Sequence, residues 1–315
     1  VIIEDSRIIG NTVERSGIGW GGGLALSPSL TTLRIERSEI SGNRVDITGG
    51  EARGGGLFLA DDAVYEIINV TISGNEVVSD VLARGGGVFV ATPATSSGPV
   101  LLTGGNMNNT TVTANLARGR EGGVGFGGGA AMRTTQSLTV QNTLIADNTA
   151  TSGAPDCSGN LASDGYALVG SNAGCAITIR GSGDVIGDVA AGDDPVDPML
   201  TPLDDRGGRT RTHAPLEGSP AVDAGNPNPV ADGVPPACEV EDQRGQPRPA
   251  DGDGDGGAAC DIGAFEGTAA APSTGESPGT GEEGGGGGGS TGPVALLLAA
   301  LVLLLGRRVR RDAAD

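Results

Sequence analysis

Apolar residues recur in fixed columns before five asparagines. Eight residues ahead of Asn11, Asn43, Asn75, Asn115 and Asn148 stand Ile3, Ile35, Ile67, Met107 and Val140, and three residues ahead stand Ile8, Ile40, Ile72, Val112 and Ile145. The first four asparagines are each followed by a glycine triplet, beginning at Gly21, Gly54, Gly85 and Gly127. Beyond each triplet come Leu24, Leu57, Val88 and Ala130, and two residues later Leu26, Leu59, Val90 and Met132. Self-similarity at a period of about 32 residues predicts stacked units, none able to bury its apolar side alone.

Steps of two within the columns, as from Leu33 to Ile35 or Leu24 to Leu26, place side chains on one face of a strand. The step of five between the two columns ahead of each Asn is odd and would flip faces on a continuous strand, so the chain must turn a corner there. Three short strands per unit, separated by corners, describe one coil of a parallel β-helix. Right-handedness follows from the crossover rule for parallel strands. Val, Ile and Thr dominate without a 3.6-residue period, which excludes a helical solenoid. The five asparagines are expected to stack amide on amide at a corner, in left-handed geometry. The 40-residue interval from Asn75 to Asn115 implies a loop around Thr92 to Pro99.

Composition sharpens this. Fifty-eight glycines and seven aromatics in 315 residues exclude an ordinary aromatic-rich core, which stacked aliphatic columns do not need. Thirty-nine acidic against 20 basic residues, net charge −19, argue against nucleic acid as a partner and for solubility or divalent-cation contact. The chain starts at Val1 in the middle of a phrase, and upstream coils are expected to precede it. Four cysteines allow three pairings; the adjacent one, Cys157 with Cys175 and Cys238 with Cys260, joins loop-rich segments and implies an oxidising compartment.

Four regions follow: β-helix coils over 1–194, a Pro-, Asp- and Arg-rich segment over 195–267, a linker over 268–292, and an apolar tail with an Arg cluster over 293–315. The last coil of a β-helix leaves an edge and an apolar end open, and the 195–267 segment is expected to cover them as a disulfide-bonded cap. The apolar run Val294 to Leu305 falls short of the roughly 17–25 residues of a stable membrane span.

Two resemblances are carried by these regions. DPMLTPLDDRGGRTRTHAPLEGSPAVDAG at Asp197 to Gly225, DQRGQPRP at Asp242 to Pro249 and CDIGAFE at Cys260 to Glu266 resemble the choice-of-anchor Q domain, which ends many bacterial surface β-helix proteins. Asp205-Arg206 departs from that family's usual Asp-Asn, and Pro215 from its Ala or Leu. The Gly/Ser stretch, Leu-rich run and Arg307, Arg308, Arg310 and Arg311 resemble a GlyGly-CTERM sorting tail. That resemblance implies cleavage by a rhomboid-type intramembrane protease and placement on the cell surface or outside the cell; a retained transmembrane anchor is the alternative.

Candidate chemistry is sparse. Asp251, Asp253 and Asp255 alternate with glycines as in a loop that wraps oxygens around Ca²⁺, with Asp261 or Glu266 as a later ligand; Ile262 stands where an EF-hand requires Glu. His213, the single histidine, has no nucleophile beside it in sequence and reads as structural. A pectate-lyase-like enzyme needs paired or clustered outward acids, yet Asp46, Asp61, Asp62, Asp80 and Asp147 share no column. Trp20, Phe58, Tyr65, Phe89 and Phe126 are too few for a sugar-stacking groove. Arg53 and Arg84 share a column beside the triplets, which reads as a solvated edge, with contact to an anionic glycan as the alternative. The expectation is a non-catalytic exported or surface scaffold, adhesin-like, with a polysaccharide-active enzyme as the alternative.

Overall fold

A computed structural model describes residues 1–26, 32–60, 63–91, 105–133, 137–227 and 237–268. The expected loop at Thr92 to Pro99, Asp61 and Asp62, all but Thr268 of the linker, and the whole sorting tail lie outside these residues. Among the described residues every regular element is a strand, and no helix is long and apolar enough to cross a membrane.

Successive coils stack as parallel strands with no slip in register until the last coils. Ile3 pairs with Ile35, Ile35 with Ile67, Ile67 with Met107 and Met107 with Val140. Each regular coil carries five strands, not three. The second coil runs through Thr32–Glu36, Glu39–Ser41, Arg44–Thr48, Glu51–Arg53 and Leu57–Ala60, one strand in each of five sheets. The last long strand, Cys157–Gly165, joins the fifth sheet to the first.

The two additional strands arise because the chain leaves the main core after the Asn and returns at the triplet. Val45, Ile47, Ala52, Val77, Ala83 and Ala117 close a small side core between the third and fourth sheets, apart from the main aliphatic core. On its way back the chain crosses the asparagines at backbone distance. A Cβ on Gly23, Gly56 or Gly87 would lie 3.0 Å from Nδ2 of Asn43, Asn75 or Asn115, which is why glycine recurs there.

Left-handed residues set three corners that recur from coil to coil, and a fourth between the third and fourth sheets at Gly17, Gly49 and Glu121-Gly122. Asp5, Arg37, Asn69, Asn109 and Asn142 turn the first sheet into the second. Gly10, Gly42, Gly74, Ala114 and Asp147 turn the second into the third, and Gly21, Gly54, Gly85 and Gly127 turn the fourth into the fifth. The ladder asparagines are therefore not the left-handed residues; the residue before each takes that conformation. Each Nδ2 donates to Oδ1 of the next Asn, 2.9 Å for Asn11, Asn43, Asn75 and Asn115. The ladder ends on Asp156, whose Oδ1 accepts from both N and Nδ2 of Asn148 at 3.0 Å. Burial pushes that carboxyl up to about 6.

The segment from Val196 to Thr268 belongs to the same compact unit as the coils. A cover over the open end of the last coil is the expectation; the contacts run along the flank instead. Arg211 pairs with Glu39, Thr212 and Gln243 meet Thr71, Ala264 N donates to Thr111, and Ile262 and Ala221 pack with Leu144 and Leu168. The outward face of the second sheet is thereby buried from the second coil onward, because its hydroxyls and short apolar groups offer a flat, partner-rich surface. Both disulfides take the adjacent pairing, Cys157–Cys175 and Cys238–Cys260.

Candidate functional site

The corner between the fourth and fifth sheets folds their outer faces toward each other. A Cβ on Gly21, Gly85 or Gly127 would meet the Cβ of Ala25, Phe89 or Ala131 at 2.6, 2.9 and 2.7 Å, all outward residues of the fifth sheet. Along one wall of this groove the register sets Trp20, Arg53, Arg84 and Phe126 in line; along the other run Ala25, Phe58, Phe89, Ala131 and Ser158.

Contacts across the corner are staggered by one coil. Trp20 meets Phe58 at 5.6 Å between ring centroids, and the Arg53 guanidinium lies 5.7 Å over the ring of Phe89. By the same stagger Arg84 faces Ala131 and Phe126 faces Ser158, side chains too small to fill the corner. A pocket of about 750 Å³ opens there, lined by Arg84, Phe126, Arg133, Ser152 and Ser158 among others.

The two arginines of the column differ in partners. Arg53 Nε donates to Glu51 Oε2 of its own strand at 2.8 Å. Leu82 occupies the register position of Glu51 in the next coil, so Arg84 has no such neighbour and makes no ion pair among the described residues. Burial, together with the nearby positive charges of Arg53 and Arg133, pushes the Arg84 guanidinium below its ordinary value, with Glu51 opposing.

The Asp-Gly loop is organised by its own amides. Asp251 accepts from Gly254 N at 2.7 Å and Gly256 N at 3.1 Å, Asp253 from Asp255 N at 3.0 Å, and Asp255 from Gly257 N at 2.7 Å. Carboxylate oxygens of Asp223, Asp251 and Asp253 lie within 4.8 Å of one another. Asp255 is outside that group, and Asp261 is buried, accepting from Asp223 N at 2.7 Å and Gly267 N at 2.6 Å. Burial first, then the charge of Glu266, pushes Asp261 up to about 7. Asp223 stands 28 residues before the loop in sequence, and nothing in the Asp-Gly spacing points to it.

His213 sits in the seam between flank and coils. Its Nδ1 is 2.7 Å from Thr201 O and its Nε2 is 2.8 Å from Ser73 Oγ, so the ring donates to the carbonyl and accepts from the hydroxyl. Burial lowers its pKa, which keeps this neutral form. A Ser beside a His is the pair hydrolytic chemistry would use. Ser73, however, pairs in register with Ser41 and Thr113, one of a column of hydroxyls on which the C-terminal segment docks.

Three outward acids of the coils are tied to arginines of their own or neighbouring coils, whereas Glu4 and Glu14, in register with Glu36 and Asp46, make no ion pair among the described residues. Asp46 pairs with Arg44 and Arg120, Glu76 with Arg44 and Arg118, and Glu36 with Arg34 and Arg37. Asp80 accepts from Gly49 N at 2.7 Å, and Asp147 is a corner residue. Comparison of the chain with protein-family models, curated proteins and solved structures finds no match.

Proposed function

We propose that this chain is a non-catalytic, exported scaffold of a bacterial surface, adhesin-like, built as a right-handed parallel β-helix. In this reading the 195–267 segment, of choice-of-anchor Q type, is its disulfide-bonded cap, applied along the flank. The GlyGly-CTERM-like tail is cut by a rhomboid-type protease once the chain is exported. The observation that carries the scaffold is the arginine pairing of Asp46, Glu36 and Glu76: where outward acids stand in register in neighbouring coils, Asp46 beside Glu14 and Glu36 beside Glu4, one of each two is held by arginines. Two disulfides support an oxidising compartment. The Asp223, Asp251 and Asp253 group supports a stabilising Ca²⁺ in the flank segment, with Asp223 taking the place expected of Asp261.

The test is turnover. The full chain is incubated with pectate, alginate and neutral plant polysaccharides while reducing and unsaturated ends are followed. No release is expected. Release that disappears in His213→Ala or Asp46→Asn would replace the scaffold with an enzyme.

A further inference from the structure

We infer that the corner pocket at Arg84 and Arg133 binds a short sugar chain through a single carboxylate. The inference deepens the scaffold reading by giving it a ligand. Of the two arginines in the column, Arg84 is the one whose strand lacks the acid that neutralises Arg53, since Leu82 replaces Glu51. A guanidinium held in a partly buried corner with no carboxylate bonded to it, Glu51 acting on it only through its charge, is a fork awaiting two oxygens. Arg133 borders the same pocket, while the hydroxyls of Ser152 and Ser158 and the ring of Phe126 complete its lining. Hydroxyl-bearing ligands with an apolar C–H face match this mix, which a bare anion would leave half used.

The site is also braced. Ser158 and Gly159 follow Cys157, and Gly174 precedes Cys175, so the Cys157–Cys175 disulfide fixes the lip of the pocket from both strands. Net charge selects the size of ligand. A chain at −19 repels a long polyanion over its whole length, whereas one carboxylate delivered to the corner feels mainly the two arginines within a screening length of about 8 Å.

Titration calorimetry of the full chain decides it, with cellotriose oxidised at its terminal C6 to the glucuronate as probe and unmodified cellotriose and inorganic phosphate as comparators. The oxidised trisaccharide should bind at least about tenfold more tightly than either comparator, and Arg84→Leu should abolish that difference. Should Arg84→Leu fail to fold, Ser158→Asp tests the same point by placing a carboxylate of the protein in the pocket; it should also abolish binding. Arg209→Ala, a change at an exposed arginine on the flank, should leave affinity unchanged. Equal affinity for acidic and neutral trisaccharides, phosphate binding as tightly as the sugar acid, or full binding by both pocket variants would each overturn the inference. Product analysis of the same samples separates the two readings: a cleaved probe sinks the scaffold, whereas an intact, unbound probe sinks only this ligand.

Discussion

The coils and the C-terminal flank are built on opposite economies. In the coils one residue choice is repeated five times, and each amide, aliphatic side chain and left-handed corner is supported by its copies above and below. Among its described residues the flank has only isolated antiparallel bridges, Leu200 with Pro215, Asp204 with Thr212, Glu241 with Pro247 and Ala250 with Ala259. It relies instead on a few buried ions and a disulfide. Arg248 and Glu266 form an ion pair with almost no exposure, and Arg248 also donates to Asp261 O and Gly263 O. Arg244 lies 3.4 Å over the Phe265 ring and pairs with Asp242. A repeated structure spreads its stability over many equivalent contacts, whereas an irregular one concentrates it, so single substitutions should hurt the flank more.

Arg248→Ala should therefore give the largest effect, about 3–5 kcal/mol, because it strands Glu266 next to an already raised Asp261 in a buried cluster. Chemical denaturation at pH 8, with limited proteolysis following the flank, checks it. A loss below about 1 kcal/mol would show that the flank does not depend on its buried ions.

Protons couple to the stability of both regions. Asp156 at the end of the Asn ladder and Asp261 in the flank both have folded-state values raised from the ordinary 3.8, to about 6 and about 7. A raised carboxyl contributes stability that is fully present below its unfolded value and is lost as pH rises through its folded value. Stability should thus fall from about pH 4 to pH 7, by about 3 kcal/mol for Asp156 alone. Glu39 and Asp46, lowered by their arginines against the opposing effect of burial, lose their contribution below their unfolded values, so a maximum is expected near the acid end of this window. In an Asp156→Asn, Asp261→Asn double variant the fall between pH 4 and pH 7 should shrink, leaving what the raised Asp147 and Glu266 contribute against the opposite slope of the lowered His213; an unchanged slope would refute the assignment.

What the sequence shows and hides follows the same division. Aliphatic columns and their stacking were legible because repetition makes a position visible five times, and the disulfides because four cysteines fall in two close pairs. The side core was not: Val45 and Ala52 are small and lie between polar neighbours, Val77 and Ala83 have one each, and nothing in the triplets' sequence shows that they cross over the asparagines. Asp156 is hidden in the sequence because it replaces the next Asn after eight residues rather than 32. In the flank, the phrases at 242–249 and 260–266 stood out as fixed, but their meaning lies in contacts among Asp242, Arg248, Asp261 and Glu266 across sequence, which no spacing reveals. The pocket was half legible: Arg53 and Arg84 share a column on the page, but the loss of the acid at Leu82 matters only once the corner faces are known to oppose.

Third in size is the ladder itself. Asn75→Ala removes the acceptor for Asn43 N and Nδ2 and the donor to Ile40 O, all buried, and should lose about 2 kcal/mol. Asn11→Ala, at the exposed first rung, should lose well under half of that. Equal losses at the two rungs would mean that stacking adds nothing to a single rung, and the distributed picture of the coils would fail.

The smallest effect sharpens the flank side of the comparison. If Asp223, Asp251 and Asp253 hold Ca²⁺, the ion stabilises by mass action, about 1.4 kcal/mol when free calcium is ten times its dissociation constant. A melting temperature raised by calcium and restored by chelator is expected, with Asp223→Asn insensitive to both and Asp255→Asn still responsive, since Asp255 stands outside the convergent group. The response should be seen in proteolysis of the flank rather than of the coils, because the loop is tied to Asp223 through Gly252 N and Asp253 N and through no coil residue. A melting temperature unmoved by calcium and chelator would leave the loop as a turn held by its own amides.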